Sequence, residues 1–211
     1  KVGTKVSVAT NSVIAERYPE LIKDIMAGGH EIIAHSTDMN GTIASGMVEA
    51  DERALIEASL DDLEKATGNR PRGWLSIARS QSFNTAKLLA EAGIEYMCDW
   101  VNDELPYTFQ TDGGELTNVP LNHELSDRQI INVQQQSVDS YARSIRDAAD
   151  WLLTEAESNG GRMLPMHLTP YIMGLPYRIS LFENLIADLA EHDDIGYARG
   201  DMILDSWKAQ L

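Results

Sequence analysis

Four clusters of polar and aromatic side chains stand where short apolar segments of the sequence end. In chain order, the residues concerned are His35, Arg72, Trp74, Asp99, Trp100 and His167. A histidine can exchange protons near neutral pH, and a carboxylate can orient such a histidine, so these residue types suit the acid–base chemistry of a hydrolysis. The two tryptophans would supply apolar walls. Each histidine alone has a second interpretation, because its ring could simply hydrogen bond a neighbouring carbonyl oxygen.

Other residues and motifs narrow the chemistry. His123 and Glu124 follow a predicted strand in an acidic stretch and are further candidates for binding a substrate. The sequence has no Gly-x-Ser-x-Gly elbow for acyl transfer, no phosphate-binding glycine loop and no Cys-x-x-Cys pair. Cys98 lies inside an apolar segment, which favours an inert core thiol over a nucleophile.

The candidate residues are positioned by an alternation of strands and helices. Val6–Ala9 alternates like a strand, and the stretch near Val48–Ala66 has a helical apolar stripe that ends at Gly68. Asp112–Gly114 predicts a hairpin turn. Met163–Leu168 and Ile195–Ala198 are further predicted strands. About seven strands, most of them followed by helices, predict an α/β fold in which loops after parallel strands carry the site. This alternation does not separate a barrel from an open sheet.

Composition excludes several classes of protein. The 211 residues are 43% hydrophobic, which predicts one globular domain with its own core. A net charge of −16 disfavours nucleic acid and anionic membranes as partners. No apolar run approaches the roughly 20 residues of a membrane span, and one cysteine excludes an intrachain disulfide. Because no signal peptide is visible, we expect a cytoplasmic protein, which could form a homo-oligomer.

The order of four motifs resembles the polysaccharide deacetylase superfamily, the NodB-homology fold of carbohydrate esterase family 4. The resemblance is greatest to its branch of allantoinase-like and related peptidoglycan deacetylase proteins, and it extends from Val6 to Trp207. The motifs are Gly29–Ser36, Gly68–Trp74, Asp99–Trp100 and His167–Gly174. The resemblance implies a deformed (β/α) barrel, usually of seven strands, that hydrolyses a C–N bond in an amide or a cyclic ureide.

The resemblance also implies roles for individual residues. In metal-dependent members, two histidines and an aspartate of the first strand hold a divalent ion. His35 matches the first of these histidines, but Met39 replaces the second. His167 matches the histidine that acts as the acid. Arg70 and Arg72 both lie near the position of the arginine that orients the base. The first strand of the family, with its acidic pair, has no counterpart here, so we expect residues 1–211 to be a single deacetylase-like domain that is truncated at its N-terminus and lacks the first barrel strand.

These observations predict a hydrolase of non-peptide C–N bonds that acts on a glycan or a small molecule. It would remove an acetyl group from an N-acetylated sugar or open a small cyclic ureide, with catalysis by His167, His35 and Asp99. Trp74, Trp100, Arg72, His123 and Glu124 would bind the substrate. We expect no cofactor in this chain: zinc or a similar ion would need ligands that are missing here, beyond the weak candidates His35 and Asp38, and Asp38 could equally cap its own loop. The alternative is a catalytically impaired barrel that binds a ligand.

Overall fold

A computed structural model describes residues 3–210. In it the chain forms two compact units. The sheet unit comprises Thr4–Val119 together with the chain from Ala198 onward, and the helical unit comprises Pro120–Tyr197. The expectation that residues 1–211 form a single domain stays a prediction. No helix among residues 3–210 is long and apolar enough to cross a membrane.

The sheet unit is built on six strands that are joined mainly by helices. In chain order its elements are β1 (Ser7–Thr10), α1 (Ser12–Arg17), α2 (Pro19–Ala27), β2 (Glu31–Ala34), α3 (Glu49–Thr67), β3 (Gly73–Trp74), α4 (Thr85–Glu91), β4 (Tyr96–Met97), β5 (Tyr107–Thr111), β6 (Gly114–Asn118) and a C-terminal helix, which we number α8 (Gly200–Lys208). The strand order is β1-β2-β3-β4-β6-β5. β1, β2, β3, β4 and β6 are parallel, and β5 runs antiparallel to β6.

This arrangement confirms the predicted α/β fold with a mostly parallel sheet. The hairpin predicted at Asp112–Gly114 joins β5 and β6, and it makes β5 the exception to parallel pairing. Helix α3 ends where predicted, because Gly68 adopts the left-handed conformation (φ 78°) that suits glycine at a helix end. β1 pairs only with β2 among the described strands, so it is an edge of this sheet, as expected.

The helical unit contains α5 (Val138–Asn159), α6 (Pro170–Met173) and α7 (Ile179–Leu189). An apolar stripe of α5 packs into the core of this unit, where Tyr141 and Ile145 are fully buried. Met163–Leu168, predicted as a strand, pairs with no strand among the described residues, and Pro165 has no N–H to donate to a sheet. Ile195–Ala198 is likewise not a strand, and Gly196 weakens the strand preference of that run.

A buried carboxylate fastens helix α8 to the amino ends of the sheet. Glu31 accepts hydrogen bonds from the Ser7 hydroxyl, from Tyr96 Oη at 2.8 Å and from the Asp201 backbone N–H at 3.2 Å. The Gly200 N–H donates to Ser7 Oγ at 2.8 Å. The first turn of α8 therefore rests on the amino ends of β1, β2 and β4.

This cluster gives the fold a pH-dependent stability. Burial raises the pKa of Glu31 above its ordinary 4.5, although hydrogen bonds from Ser7 and Tyr96 act in the opposite direction. The folded state then binds the proton more tightly than the unfolded chain, so the contribution of Glu31 is full below pH 4.5 and is lost as the pH rises through the raised pKa. We expect Glu31→Gln to make the fall of unfolding free energy with rising pH shallower in urea titrations, whereas Glu16→Gln, on the exposed face of α1, leaves it unchanged. An identical slope in wild type and Glu31→Gln would contradict this assignment.

Candidate functional site

Asp99 is the centre of a buried polar network at the carboxyl end of β4. Its side chain is 4% exposed and accepts three hydrogen bonds: from the Ser76 backbone N–H at 2.7 Å, from Ser76 Oγ at 2.7 Å and from Gln81 Nε2 at 2.6 Å. Burial raises the pKa of Asp99, and the bonds from Ser76 and Gln81 partly offset this rise. The carboxylate is therefore desolvated but held in one orientation, which is typical of functional carboxylates.

Two tryptophans extend this network in different ways. Trp74 donates from Nε1 to Ser76 Oγ at 2.8 Å, but its indole is 0% exposed and belongs to the core. The structure therefore corrects the expectation that Trp74 lines a pocket, because its ring has no surface for a ligand to touch. Trp100 donates from Nε1 to Gln81 Oε1 at 2.9 Å and keeps part of its ring exposed. Of the two, Trp100 alone is placed to contact a ligand.

His35 stands at the carboxyl end of β2, one strand away from this network. Its Nδ1 lies 2.5 Å from the carbonyl oxygen of Leu75, the residue before Ser76. A carbonyl only accepts, so Nδ1 carries the proton and Nε2 of the neutral ring is left as an acceptor. The side chain of Asn11 donates to the His35 backbone oxygen and fixes the loop. The structure thus shows the carbonyl bond that sequence reasoning offered as the simpler interpretation, and this bond also fixes the ring with Nε2 available.

The loops that follow β2 and β3 contain strained backbone. Ser36 (φ 64°), Ala78 (φ 52°) and Arg79 (φ 54°) occupy the left-handed region without being glycine. Such conformations cost of order 1–3 kcal/mol each and cluster at functional sites. Burial lowers the pKa of Arg79, while the negative charge of Asp99 acts to raise it. A partly desolvated cation therefore lies within electrostatic reach of the Asp99 carboxylate.

The residues that the family pattern assigns to a metal do not form a metal site here. Asp38 Oδ1 accepts from the backbone N–H groups of Asn40 at 2.7 Å and Gly41 at 3.1 Å, so this carboxylate caps its own loop. Met39 is 63% exposed, and its thioether is a poor ligand for zinc. Among residues 3–210 there is no group of three His, Cys, Asp or Glu side chains that could hold an ion. The donors of this part of the chain therefore do not fit the family's divalent ion.

This arrangement predicts a metal-poor protein. We expect elemental analysis after gel filtration in metal-free buffer to find far less than one zinc per chain, because a single histidine does not hold zinc against water. Met39→His should not raise the zinc content to one per chain, since it would add only one nitrogen to Nε2 of His35, while the Asp38 carboxylate caps its own loop and zinc needs at least three protein ligands. One zinc per wild-type chain that disappears in His35→Ala would overturn this expectation.

Arg72 is placed away from the Asp99 network. It precedes β3 at the amino edge of the sheet, where its guanidinium pairs with Glu95 at 2.6 Å and with Asp205 at 2.6 Å. Arg70 is similarly occupied by ion pairs with three acidic residues of α3. The structure therefore does not bring Arg72 together with Asp99, and its role in substrate binding is not supported by its position.

His167 and the acidic turn before it belong to the helical unit. The backbone oxygen of His167 accepts from the Asp127 N–H at 3.2 Å, and the Thr169 N–H donates to Asp127 Oδ2 at 2.8 Å. Asp127 is fully buried, and burial raises the pKa of its carboxyl group. The backbone N–H of Asp127 and its side chain thus fix the backbone on the two sides of Leu168. His123 and Glu124 lie exposed in the turn that precedes Asp127.

Sequence reasoning found part of this arrangement. His35 and Asp99 lie at the carboxyl edge of the sheet unit as expected, and the prediction that His167 shares their rim stays a prediction. Gln81 and Arg79 were missed. These residues could have been found from the sequence, because they are polar and follow a parallel strand, β3. The neighbouring strand β4 leads to Asp99, so the two loops meet at the same edge of the sheet.

Comparisons with known proteins agree with this architecture. Residues 1–97 match the protein family described as polysaccharide deacetylase. The structure of "Puue Allantoinase" is 26% identical with a TM-score of 0.88, over 98% of this chain and 68% of that one. The "probable Polysaccharide deacetylase from Pseudomonas aeruginosa PAO1" is 28% identical with a TM-score of 0.90, over 99% of this chain and 69% of that one. No curated protein sequence matches this chain.

The α/β fold with its mostly parallel sheet therefore matches the deformed barrels of these deacetylase-like structures. The chain is thus similar to the polysaccharide deacetylase family, whose model matches a little under half of its length, and it shares the fold of the two structures over nearly its whole length. The fold alone is also shared with "a CE4 family pseudoenzyme from Bacillus Anthracis", which is 11% identical with a TM-score of 0.61, over 96% of this chain and 56% of that one.

Proposed function

We propose that this chain hydrolyses a non-peptide C–N bond, either removing an acetyl group from an N-acetylated sugar or opening a small cyclic ureide. The observation that supports this proposal is the Asp99 network beside His35, in a chain whose residues 1–97 match the polysaccharide deacetylase family. A buried carboxylate with a raised pKa, next to strained loops at the carboxyl edge of a parallel sheet, is a combination that favours catalysis over a purely structural role.

Hydrolysis of a C–N bond has two chemical requirements. Water must be oriented towards the carbonyl carbon, and the nitrogen must take a proton as the C–N bond breaks. In the proposed role, Nε2 of His35 accepts a hydrogen bond from the attacking water, because Nδ1 is committed to Leu75. Asp99 fixes the loop after β3 through Ser76, and this keeps the Leu75 carbonyl that orients His35 in place. The family resemblance gives the proton donation to His167, and this role is tested by substitution rather than argued from position.

A second function has its own support. An exposed Met39 at the second metal position, together with a described chain that lacks a three-ligand group, favours a catalytically impaired barrel that binds its ligand without cleaving it. Both functions involve binding of a ligand, so only the formation of product distinguishes them.

The deciding experiment incubates the purified protein with N-acetylglucosamine oligomers and with allantoin, and follows acetate or allantoate by proton NMR. We expect turnover of one substrate that persists in EDTA, because the described residues supply no metal site. Asp24→Ala, an exposed change on α2, is the control that should leave turnover unaffected. Binding of a substrate with no product from either one would favour the binding protein instead.

A further inference from the structure

Two buried polar atoms of the helical unit have no hydrogen-bond partner among residues 3–210. They are Oδ1 of Asp127 and the hydroxyl oxygen Oη of Tyr141. Both residues are 0% exposed, so bulk water does not reach them. A buried donor or acceptor without a partner costs free energy, and the cost is higher for a charged group, so proteins rarely leave one unsatisfied. These two atoms therefore need a partner that the described side chains do not supply.

Asp127 and Tyr141 belong to segments that pack against each other. Asp127 immediately precedes a short helical turn, Arg128–Val133, which packs against α5, and Tyr141 lies in the first turn of α5. Ile130 and Ile131 of the short turn share a buried cluster with Tyr141. Burial raises the pKa of Tyr141, and the negative charge of Asp127 raises it further. The carboxylate and the phenol are therefore neighbours in one core.

The two groups are complementary as hydrogen-bonding partners. A carboxylate only accepts, whereas a phenol hydroxyl both donates and accepts. Neither atom has a partner within hydrogen-bond distance among the described residues, so the two do not bond directly. One water molecule between them would donate to Asp127 Oδ1 and accept from Tyr141 Oη, which is how buried waters satisfy polar groups that do not touch. A single bridging water would therefore satisfy both atoms at once.

The other oxygen of Asp127 fixes the segment that carries His167. Oδ2 accepts from the Thr169 backbone N–H at 2.8 Å, and the Asp127 N–H donates to the His167 backbone oxygen at 3.2 Å. A carboxylate that is held at both oxygens does not rotate without losing both contacts. A hydrogen bond at Oδ1 therefore also stabilises the contact that Oδ2 makes with Thr169, and through it the position of the His167 segment.

We propose that Tyr141 is a positioning residue: through one buried water molecule it holds the Asp127 carboxylate, which in turn holds the His167–Thr169 segment in the position that the reaction needs. This inference rests on the proposed function for its effect on the rate, but not for the hydrogen bonds themselves. The bridging water is structural and takes no part in the chemical steps. Tyr141 acts on His167 only through Asp127, so its loss weakens the reaction without removing any reacting group.

The ionisation of Asp127 makes this arrangement sensitive to pH. Burial raises the pKa of the Asp127 carboxyl group, while hydrogen bonds from Thr169 and the positive charge of Arg178, at the start of α7, act in the opposite direction. The other titratable groups beside it are Tyr141 on α5 and His167 on the segment that it holds. A donor at Oδ1 favours the ionised carboxylate. Loss of the Tyr141 hydroxyl should therefore raise the pKa of Asp127 further.

The first test does not depend on catalysis. In the full chain, Tyr141→Phe should raise the pKa of the Asp127 carboxyl, followed by carbon-13 NMR, by about half a unit or more. It should also speed hydrogen exchange at the Thr169 amide by about tenfold. Tyr177→Phe makes the same change at a tyrosine that is 69% exposed in the helical unit, and this matched control should alter neither value. An unchanged Asp127 pKa in Tyr141→Phe would overturn the bridge.

A measurement on the wild type keeps the bridge testable if the variant does not fold. Tyr141→Phe keeps the buried ring and removes one oxygen atom, so we expect it to fold, as circular dichroism will verify. A high-resolution crystal structure of the wild-type chain should show one ordered water within hydrogen-bond distance of both Tyr141 Oη and Asp127 Oδ1. Two separate waters, or none, would overturn the bridge.

The second test measures kcat and KM with N-acetylglucosamine tetramer and with allantoin. Tyr141→Phe should lower kcat by about fivefold to tenfold and leave KM within about twofold of the wild type, since it disturbs the position of a reacting group rather than binding. The acidic limb of the kcat profile should move to higher pH together with the Asp127 pKa, which a purely structural role of Tyr141 would not cause. Tyr177→Phe should keep the wild-type profile.

The outcomes separate this inference from the proposed reaction. A raised Asp127 pKa in Tyr141→Phe, with no turnover of either substrate by the wild type, would retain the bridge and remove the hydrolase. Turnover with the same kcat and the same acidic limb in wild type and Tyr141→Phe would retain the hydrolase and overturn the positioning role of Tyr141.

Discussion

Asp99→Ala is expected to lower the free energy of unfolding by about 3 kcal/mol and to abolish measurable hydrolysis. The change leaves three donors without their acceptor, two buried ones on Ser76 and a part-buried one on Gln81, and hydrogen bonds to a charged group contribute about 1.5–3 kcal/mol each. The loss stays below the sum of three such bonds because removing a desolvated carboxylate also relieves the cost of burying it. Urea denaturation followed by circular dichroism measures the change.

Two further variants isolate the contribution of the charge. Asp99→Asn keeps the shape and one acceptor oxygen but turns an amide N–H₂ towards donors, so we expect a loss of about 1–2 kcal/mol with hydrolysis still abolished. Asp24→Ala, on the exposed face of α2, should stay within about 0.5 kcal/mol of the wild type. Asp99→Ala with wild-type stability would show that the network is not formed in solution.

His167→Ala is expected to slow hydrolysis by about 10²–10⁴-fold, the usual contribution of a general acid. The measurement is kcat with the better of the two substrates, together with the melting temperature.

Two controls make this result specific. His192→Ala changes an exposed histidine in the same unit and should leave kcat unchanged. A substrate analogue with a better leaving group than an amine nitrogen needs less help from an acid, so it should lose much less rate in His167→Ala. An unchanged kcat in His167→Ala with the amide substrate would remove this residue from the mechanism.

The fold was predictable where local patterns and packing agree. The apolar face of α5 follows from the helical spacing of its apolar residues. The end of α3 follows from Gly68, which tolerates a positive φ. The segment Met163–Leu168 shows the limit, since its apolar run reads as a strand although Pro165 removes a donor and Asp127 supplies the hydrogen bonds instead of a neighbouring strand. These hydrogen bonds join residues about 40 positions apart, so a pattern read over neighbouring residues does not reveal them.

The candidate site was predictable only in outline. Asp99 and His35 follow strands, and parallel strands bring their carboxyl ends to one edge, so topology alone was enough for them. From the sequence, Trp74 was expected to line a pocket. It lies on β3, which pairs with β2 on one side and β4 on the other, and its side chain is completely buried. Gln81 joins Asp99 to Trp100 through its side chain, and a side-chain bridge of this kind leaves no periodic signal in the sequence.

The central claim is that this protein adds water across a C–N bond, and an isotope experiment tests it most directly. Wild-type protein is incubated with N-acetylglucosamine tetramer in water enriched in heavy oxygen, and the acetate is analysed by mass spectrometry, with allantoin and its product allantoate in parallel. We predict one labelled oxygen in the carboxylate product of one substrate, and release that is strongly reduced in Asp99→Asn and His167→Ala. Absence of labelled product from both substrates, in a folded protein that binds at least one of them, would contradict the account.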